Sequence, residues 1–205
     1  MTPQEEPDLA KCHLEYSGVI LAGGQSSRLG VDKAAVLIGG RTLLERALSA
    51  LRPFCDDLLV VGRTSWPEVL PGVRFAADEK PGLGPLGGLC TALGLIRHTR
   101  ALVVGCDMPL LTEDTMRELL GQDGAEQATV ARTHGRPQPL LAVYDRDLRP
   151  LLRRQLDSQD RSLMSLLRAV SVRYVDLSAP QACLSVNSPE QLEEARRLAR
   201  ERGEP

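Results

Sequence analysis

Aromatic residues are scarce: Phe, Tyr and Trp together make up 3% of the 205 residues, and there is one tryptophan. The interior must therefore be built from Leu, Val, Ala and Ile. The stacking platforms on which single-stranded nucleic acids are bound are largely missing. A basic excess is missing as well. Lys and Arg number 25 against 27 Asp and Glu, a formal net charge of −2, whereas nucleic-acid binders carry a basic surplus or stripe. No apolar run approaches the ~20 residues of a membrane span, so neither a nucleic-acid nor a membrane partner is expected. Residues 1–16 contain Glu5, Glu6 and Asp8 and lack the cationic start and apolar stretch of a secretory leader. They read as a disordered polar tail ahead of a single domain over 17–205. The cysteines (Cys12, Cys55, Cys90, Cys106 and Cys183) are odd in number and form no Cys-x-x-Cys pair. That argues against a disulfide framework or metal cluster and for reduced thiols in a cytoplasmic protein.

What remains is an ordinary globular composition, 42% hydrophobic and 25% charged, with enough length for one sizeable core. Short apolar runs alternate with helix-length segments. Strands are expected at Gly18 to Leu21, Asp57 to Val61, Val73 to Ala77, Ala101 to Gly105, Ala128 to Ala131, Leu140 to Tyr144 and Val172 to Val175. Helices are expected at Thr42 to Leu51, Leu86 to Ile96, Thr112 to Leu120, Leu148 to Leu156, Ser162 to Ala169 and from Ser188-Pro189 to about Glu201. Leu43, Leu44, Ala47, Leu48 and Leu51 recur at helical spacing, and Thr112 and Ser188 are natural N-caps. Such alternation predicts an α/β three-layer sandwich of Rossmann-like type with a mostly parallel sheet. Ligands of these sheets bind beyond the carboxyl ends of the strands.

Three candidate site elements fall at those ends. Leu21-Ala22-Gly23-Gly24-Gln25-Ser26-Ser27-Arg28-Leu29-Gly30-Val31-Asp32-Lys33 follows the first strand. Gly23 and Gly24 let bare backbone N–H groups face an anion. Arg28 offers a planar fork for phosphate oxygens and Lys33 a mobile point charge. Fully extended, Gly23 to Lys33 would span ~33 Å, so the loop must fold back to serve one ligand. The bland alternative is a Gly-Ser turn with two solvated cations. Asp107, in Cys106-Asp107-Met108-Pro109, places a carboxylate just past an apolar strand, a suitable Mg²⁺ ligand beside substrate phosphates. Asp78 opens a loop rich in glycine and proline and could accept hydrogen bonds from a base edge or ribose. That loop also contains Gly82-x-Gly84-x-x-Gly87, formally a dinucleotide fingerprint. In a true fingerprint the first glycine follows its strand almost at once, whereas Asp78-Glu79-Lys80-Pro81 intervene here. The sequence contains no Walker-type P-loop, no Gly-x-Ser-x-Gly elbow and no His-Glu-x-x-His helix.

The glycine loop, Pro81-Gly82-x-Gly84-Pro85-Leu86-x-Gly88, Cys106-Asp107-Met108-Pro109, Gln138-Pro139-Leu140-x-Ala142-Val143-Tyr144 and Val186-Asn187-Ser188-Pro189-Glu190 occur in an order that resembles the molybdenum cofactor guanylyltransferases. These belong to the nucleotide-diphospho-sugar transferase fold. The resemblance covers the chain from Gly18 to the final helix. Its first block is shared with other nucleotidyltransferases, while the ordered set is more specific. It implies transfer of GMP from GTP to molybdenum-molybdopterin with release of pyrophosphate, assisted by Mg²⁺, and transient contact with proteins that supply and accept the cofactor. It also implies nucleotide binding by Leu21, Ala22, Gly23, Gly24, Lys33, Asp78 and Asp107, and catalytic roles for Arg28, Lys33 and Asp107. Asp107 would be the metal ligand, with Gln138 and Asn187 on the pterin side. Gly62 departs from the asparagine of some members, and Ser185 from the first asparagine of an Asn-x-Asn motif. A sister enzyme using CTP, another small-molecule nucleotidyltransferase of this fold, and a non-catalytic nucleotide sensor are the alternatives. Sister cytidylyltransferases tend to carry Leu-Ala-Ala-Gly, so Gly23-Gly24 favours guanine.

Overall fold

The computed structural model describes residues 16–23 and 32–203. Most of the expected tail, together with Gly24, Arg28 and the rest of 24–31, lies outside the described residues. In chain order the strands are β1 (Tyr16–Leu21), β2 (Leu37–Ile38), β3 (Arg41–Thr42), β4 (Asp57–Val61), β5 (Val73–Ala76), β6 (Arg100–Gly105), β7 (Ala128–Thr133), β8 (Arg136–Asp145) and β9 (Val172–Asp176). The helices are α1 (Leu43–Leu51), α2 (Gly84–Leu95), α3 (Glu113–Leu120), α4 (Arg149–Leu156), α5 (Leu163–Ala169) and α6 (Pro189–Glu201).

Seven strands form one sheet in the order β5-β4-β1-β6-β8-β7-β9. Every neighbouring pair is parallel except those made by β8, which runs antiparallel to both β6 and β7. The central strands β1, β4 and β6 are apolar almost throughout because both of their faces are covered. Ile20, Leu58, Val60, Leu102 and Val104 point to one side and pack with α1, α3 and α6. Val19, Leu21, Leu59, Val61, Ala101 and Val103 point to the other and pack with α2, α4 and α5. The expected three layers follow directly from this two-residue alternation.

Helix starts obey their caps. Thr42 and Glu45 form a reciprocal capping box on α1, Thr112 caps α3, and Ser188 accepts from Gln191 N–H with Pro189 opening α6. Helix α2 begins at Gly84, two residues earlier than expected, and has no side-chain cap. Ala76 ends β5 well before Gly84 starts the helix, so the glycine triplet at Gly82 lacks the strand-turn-helix geometry of a dinucleotide fingerprint. Strands β7 and β8 run closer to their connection than the expected Ala128 to Ala131 and Leu140 to Tyr144. His134 and Gly135, with φ of 49° and 72°, make a two-residue turn of the twist-matched type, and Arg136 and Pro137 already belong to β8. The pairing shifts between Val130–Ala142 and Arg132–Pro137. Pro137 and Pro139, lacking N–H groups, sit in or next to this bulge, where a strand tolerates them. The β2–β3 ribbon is too short to leave a pattern in sequence.

At the amino ends of the strands, the buried Asp57 is a hub. Its carboxylate accepts from Ser17 Oγ at 2.6 Å, Arg97 N–H at 2.9 Å and the Arg74 guanidinium at 2.7–3.0 Å. Burial alone would raise its pKa, but these donors outweigh burial and hold it below the ordinary 3.8. A depressed native pKa contributes stability above the unfolded value that disappears as pH falls through the native one. Asp57→Ala is expected to cost about 3 kcal/mol at pH 7 by leaving buried donors unpaired. In urea titrations the gap from wild type should narrow steadily below about pH 4.

Candidate functional site

Backbone bonds that continue the sheet fix the ends of four strands. Gly62 N–H donates to Ala76 O at 2.9 Å, Ala22 N–H to Val61 O at 2.9 Å and Cys106 N–H to Leu21 O at 3.1 Å. They align Asp78, Gly62, Gly23 and Asp107 along one rim. A cleft of about 400 Å³ opens there, lined by Leu21 to Gly23, Asp32 to Ala34, Gly62, Arg63, Gly84, Pro85, Cys106, Asp107, Leu140 and Asn187. An adjoining space of about 690 Å³ shares Leu21, Gly23, Gly62, Gly84 and Pro85 and adds Asp78, Pro81, Gly82 and Gly88.

Close backbone approach makes this rim possible. Gly62 has φ +96°, and a Cβ there would lie 2.4 Å from both N and Cα of Gly23. Glycine at this position is thus a packing requirement of this conformation. Gly105 acts similarly, since a Cβ on it would stand 2.7 Å from Asp107 Oδ1. Its bareness lets the carboxylate turn back over the strand end.

Lys33, Asn187 and Asp107 meet in the first part of the cleft. Asp32 caps the single helical turn Lys33–Ala35 by accepting from Ala34 N–H at 3.1 Å. From that turn Lys33 Nζ donates to Asn187 Oδ1, and the Asn187 side chain stands close enough to Asp107 to favour its charged form. The contact is held from the backbone: Val186 N–H donates to Asp107 O at 2.8 Å, and Asn187 N–H to Gln191 Oε1 at 2.7 Å. Buried Arg46 steadies the following turn, with Nε donating to Pro109 O at 2.8 Å and Nη1 to Ile38 O at 3.2 Å. Burial pushes the Asp107 carboxyl above its ordinary value, opposed by the charge of Lys33 and, more weakly, by the polar side chain of Asn187. A carboxylate so placed gains from an added cation.

The second part has a different chemistry. Its walls are Leu21, Val61, Pro81 and Pro85, and its one carboxylate is Asp78. Burial raises the Asp78 pKa, and its Oδ1 is buried without a hydrogen-bond partner among the described residues. The N-terminal end of α2 borders both parts through Gly84 and Pro85, a location that favours negative charge.

The structure thus brings together Leu21, Ala22, Gly23, Lys33, Asp107 and Asn187, with Asp78 in the adjoining space. Gln138 lies on the bulged arm of β8, where Nε2 donates to Thr133 Oγ1 at 3.0 Å. It is not among the residues lining either part. Gly24 and Arg28 fall outside the described residues. Sequence reasoning missed Arg63, which follows the expected glycine departure at the end of β4, and gave Asp32 no role of its own. The two form an ion pair inside the cleft. Cys55 and Cys106, pushed by burial up to about 12, are unreactive packing residues. Among the described residues no three of His, Cys, Asp and Glu cluster as a metal cage, and no helix is long and apolar enough to cross a membrane.

A family model described as the MobA-like NTP transferase domain matches residues 18–176. A probable molybdenum cofactor guanylyltransferase of Chloroflexus aggregans is 34% identical over 197 residues, covering 88% of this chain and 93% of its own. A molybdenum cofactor guanylyltransferase of Shewanella sediminis is 33% identical, with coverages of 87% and 94%. In fold, the chain is similar to the molybdopterin-guanine dinucleotide biosynthesis protein A of Archaeoglobus fulgidus (TM-score 0.74, 21% identity, 90% and 99% covered). It is also similar to a 2-C-methyl-D-erythritol 4-phosphate cytidylyltransferase of Thermus thermophilus (TM-score 0.69, 22% identity, 91% and 99% covered). The architecture is that of the nucleotide-diphospho-sugar transferases, as expected.

The Gly23–Gly62 contact is directly testable. Gly62→Ala is expected to cost about 2–4 kcal/mol, from a strained positive φ together with overpacking against backbone. Gly23→Ala should cost clearly less, because its Cβ would meet Asp78 Oδ2 at 3.1 Å and Gly62 Cα at 3.4 Å. Equal losses in chemical denaturation would show that the contact does not constrain the rim.

Proposed function

Since the chain belongs to the MobA-like NTP transferase family, we propose that it transfers GMP from GTP to the terminal phosphate of molybdenum-molybdopterin, releasing pyrophosphate. The observation that carries this reading is the meeting of Lys33, Asn187 and Asp107 in a cleft beside a second space containing the unsatisfied Asp78. The two parts match the two ends of a nucleotide. Guanine presents two adjacent donors on its pairing edge, N1–H and the N2 amino group, and a carboxylate accepts both. Cytosine offers only its N4 amino group there. Asp78 between apolar walls therefore suits guanine better than cytosine.

In the other part an acceptor phosphate oxygen attacks the α-phosphorus, and the bond to the pyrophosphate oxygen breaks. Little proton transfer is needed, so positioning and charge stabilisation dominate. Lys33 neutralises charge on the phosphates, and Arg28, proposed from sequence, does the same on the leaving side. Leu21 to Gly24 supply backbone contacts to the nucleotide. Asn187 keeps Lys33 and Asp107 in register, and the family resemblance assigns Asn187 and Gln138 to the pterin side. The oxygen donors fit Mg²⁺, which takes one or two carboxylates and completes its shell with water and phosphate. Asp107 would hold it. When bound, the ion adds positive charge where the phosphates accumulate negative charge.

Lys33→Ala and Asp107→Ala are each expected to lower kcat by at least ~10²-fold, the scale of losing one preorganised electrostatic group. Near-normal turnover in both would overturn these roles. In a thermal-shift series with Mg²⁺ and GTP, CTP, UTP or ATP, GTP should give the largest rise in Tm. A larger rise with another base would overturn the choice of guanine. Stabilisation by GTP without pyrophosphate release on adding the pterin would favour a nucleotide sensor.

A further inference from the structure

Arg63 is the cation of the cleft to which the reaction above gives no task. It follows the Gly62 turn, its N–H donates to Ala76 O at 3.2 Å, and its side chain is only 19% exposed. It lines the same part of the cleft as Lys33 and Asp107. One terminal nitrogen is bonded to the Asp32 carboxylate, and the guanidinium carbon lies 5.0 Å from the centre of the Trp66 ring. Its Nε–H is buried with no hydrogen-bond partner among the described residues.

A buried, unsatisfied donor on a charged group is costly unless a ligand completes it. The guanidinium edge made by Nε and a terminal nitrogen is shaped for two oxygens of one phosphate. Asp32 occupies one end of this fork and leaves Nε open, so the fork is half used. Asp32 also directly precedes Lys33 in the chain, which sets both cations against the same region. The base-binding space contains no part of Arg63. These observations assign the guanidinium to the pyrophosphate end of the nucleotide rather than to its base.

We propose that Arg63 is a second cationic ligand of the nucleotide's pyrophosphate portion, parked on Asp32 in the empty protein and transferred to phosphate oxygens on binding. This rests on the nucleotidyltransferase reading above and deepens it. The stack on Trp66 preorganises the guanidinium plane, and Asp32 competes with the ligand, which permits release of the product once transfer is complete.

Trp66 is the protein's one tryptophan, so its emission reports on Arg63. Pyrophosphate, which does not absorb where tryptophan is excited, should change that emission saturably in the wild type with Mg²⁺ present. By calorimetry, Arg63→Ala should weaken pyrophosphate and GTP binding roughly ten- to a hundredfold, the worth of a charge-assisted hydrogen bond. GMP binding should stay within about twofold of wild type on the same reasoning. Arg63→Lys should recover part of the loss, keeping charge without the fork. Asp32→Asn retains a side-chain oxygen for the cap but removes the competing charge. It should tighten pyrophosphate binding in the wild type and do so far less in the Arg63→Ala background. Unchanged pyrophosphate affinity in Arg63→Ala, or an equal gain from Asp32→Asn in both backgrounds, would overturn the proposal. If the wild type prefers a base other than guanine, the functional reading fails, while the pyrophosphate comparison still decides the role of Arg63.

Discussion

One neutral amide ties the site together. Asn187 accepts from Lys33 through its oxygen and favours the charged form of the neighbouring Asp107, two roles open to a carboxamide because it is both donor and acceptor. Three distant pieces of chain converge on it: the turn after the glycine loop, the end of β6 and the cap of α6. The register of a cation against a carboxylate is therefore set by elements with their own reasons to be in place. Val186 is bonded to the Asp107 backbone, and Ser188 caps α6. Because a neutral group mediates between them, Lys33 and Asp107 are positioned together without either charge being defined by the other alone.

The rim beneath them depends on missing side chains rather than on contacts. Gly62 against Gly23 and Gly105 under Asp107 are places where a Cβ would occupy space already taken by backbone or by a carboxylate. This explains why the α/β sheet can carry two acids, Asp78 and Asp107, at the carboxyl ends of strands and still leave a cleft between them. Both acids are raised by burial, so these carboxylates lack full compensation from the protein's own groups. Strained electrostatics of this sort is common where a ligand is meant to complete the set.

Much of this was legible in sequence because it is local. A glycine pair after an apolar strand, an acid after another, and capping residues before periodic runs each announce themselves within a few positions, and the alternation of short apolar runs with helix-length segments predicts the layers. What was not legible depends on distance in the chain. Nothing near Asn187 says that it meets Lys33, because Ser188-Pro189 reads equally well as a plain helix start. Arg63 sits beside the tempting gap left by an expected asparagine, and its partner Asp32 is hidden inside a motif usually read for its lysine. The reversal of β8 and its bulge at Pro137 and Pro139 also escaped, since an antiparallel central strand is as apolar as a parallel one. Gln138 donates to Thr133 on the hairpin arm and lines neither part of the cleft.

The two parts of the cleft are built differently, and that difference bears on how specificity and chemistry are divided. The Asp78 side is shaped by backbone: prolines, positive-φ glycines and the uncapped first turn of α2 surround one acceptor. Such a wall adjusts little, so it can discriminate a base by the pattern of its donors. The Lys33 side is made of long or amide side chains held by one another, including the Arg63–Asp32 pair. Side chains of this kind can exchange partners as charge moves from a triphosphate to a departing pyrophosphate. On the proposed reading, a rigid base pocket with a labile phosphate pocket would let the nucleotide stay fixed at one end while bonds change at the other. That is the geometry a transfer of a nucleoside monophosphate requires.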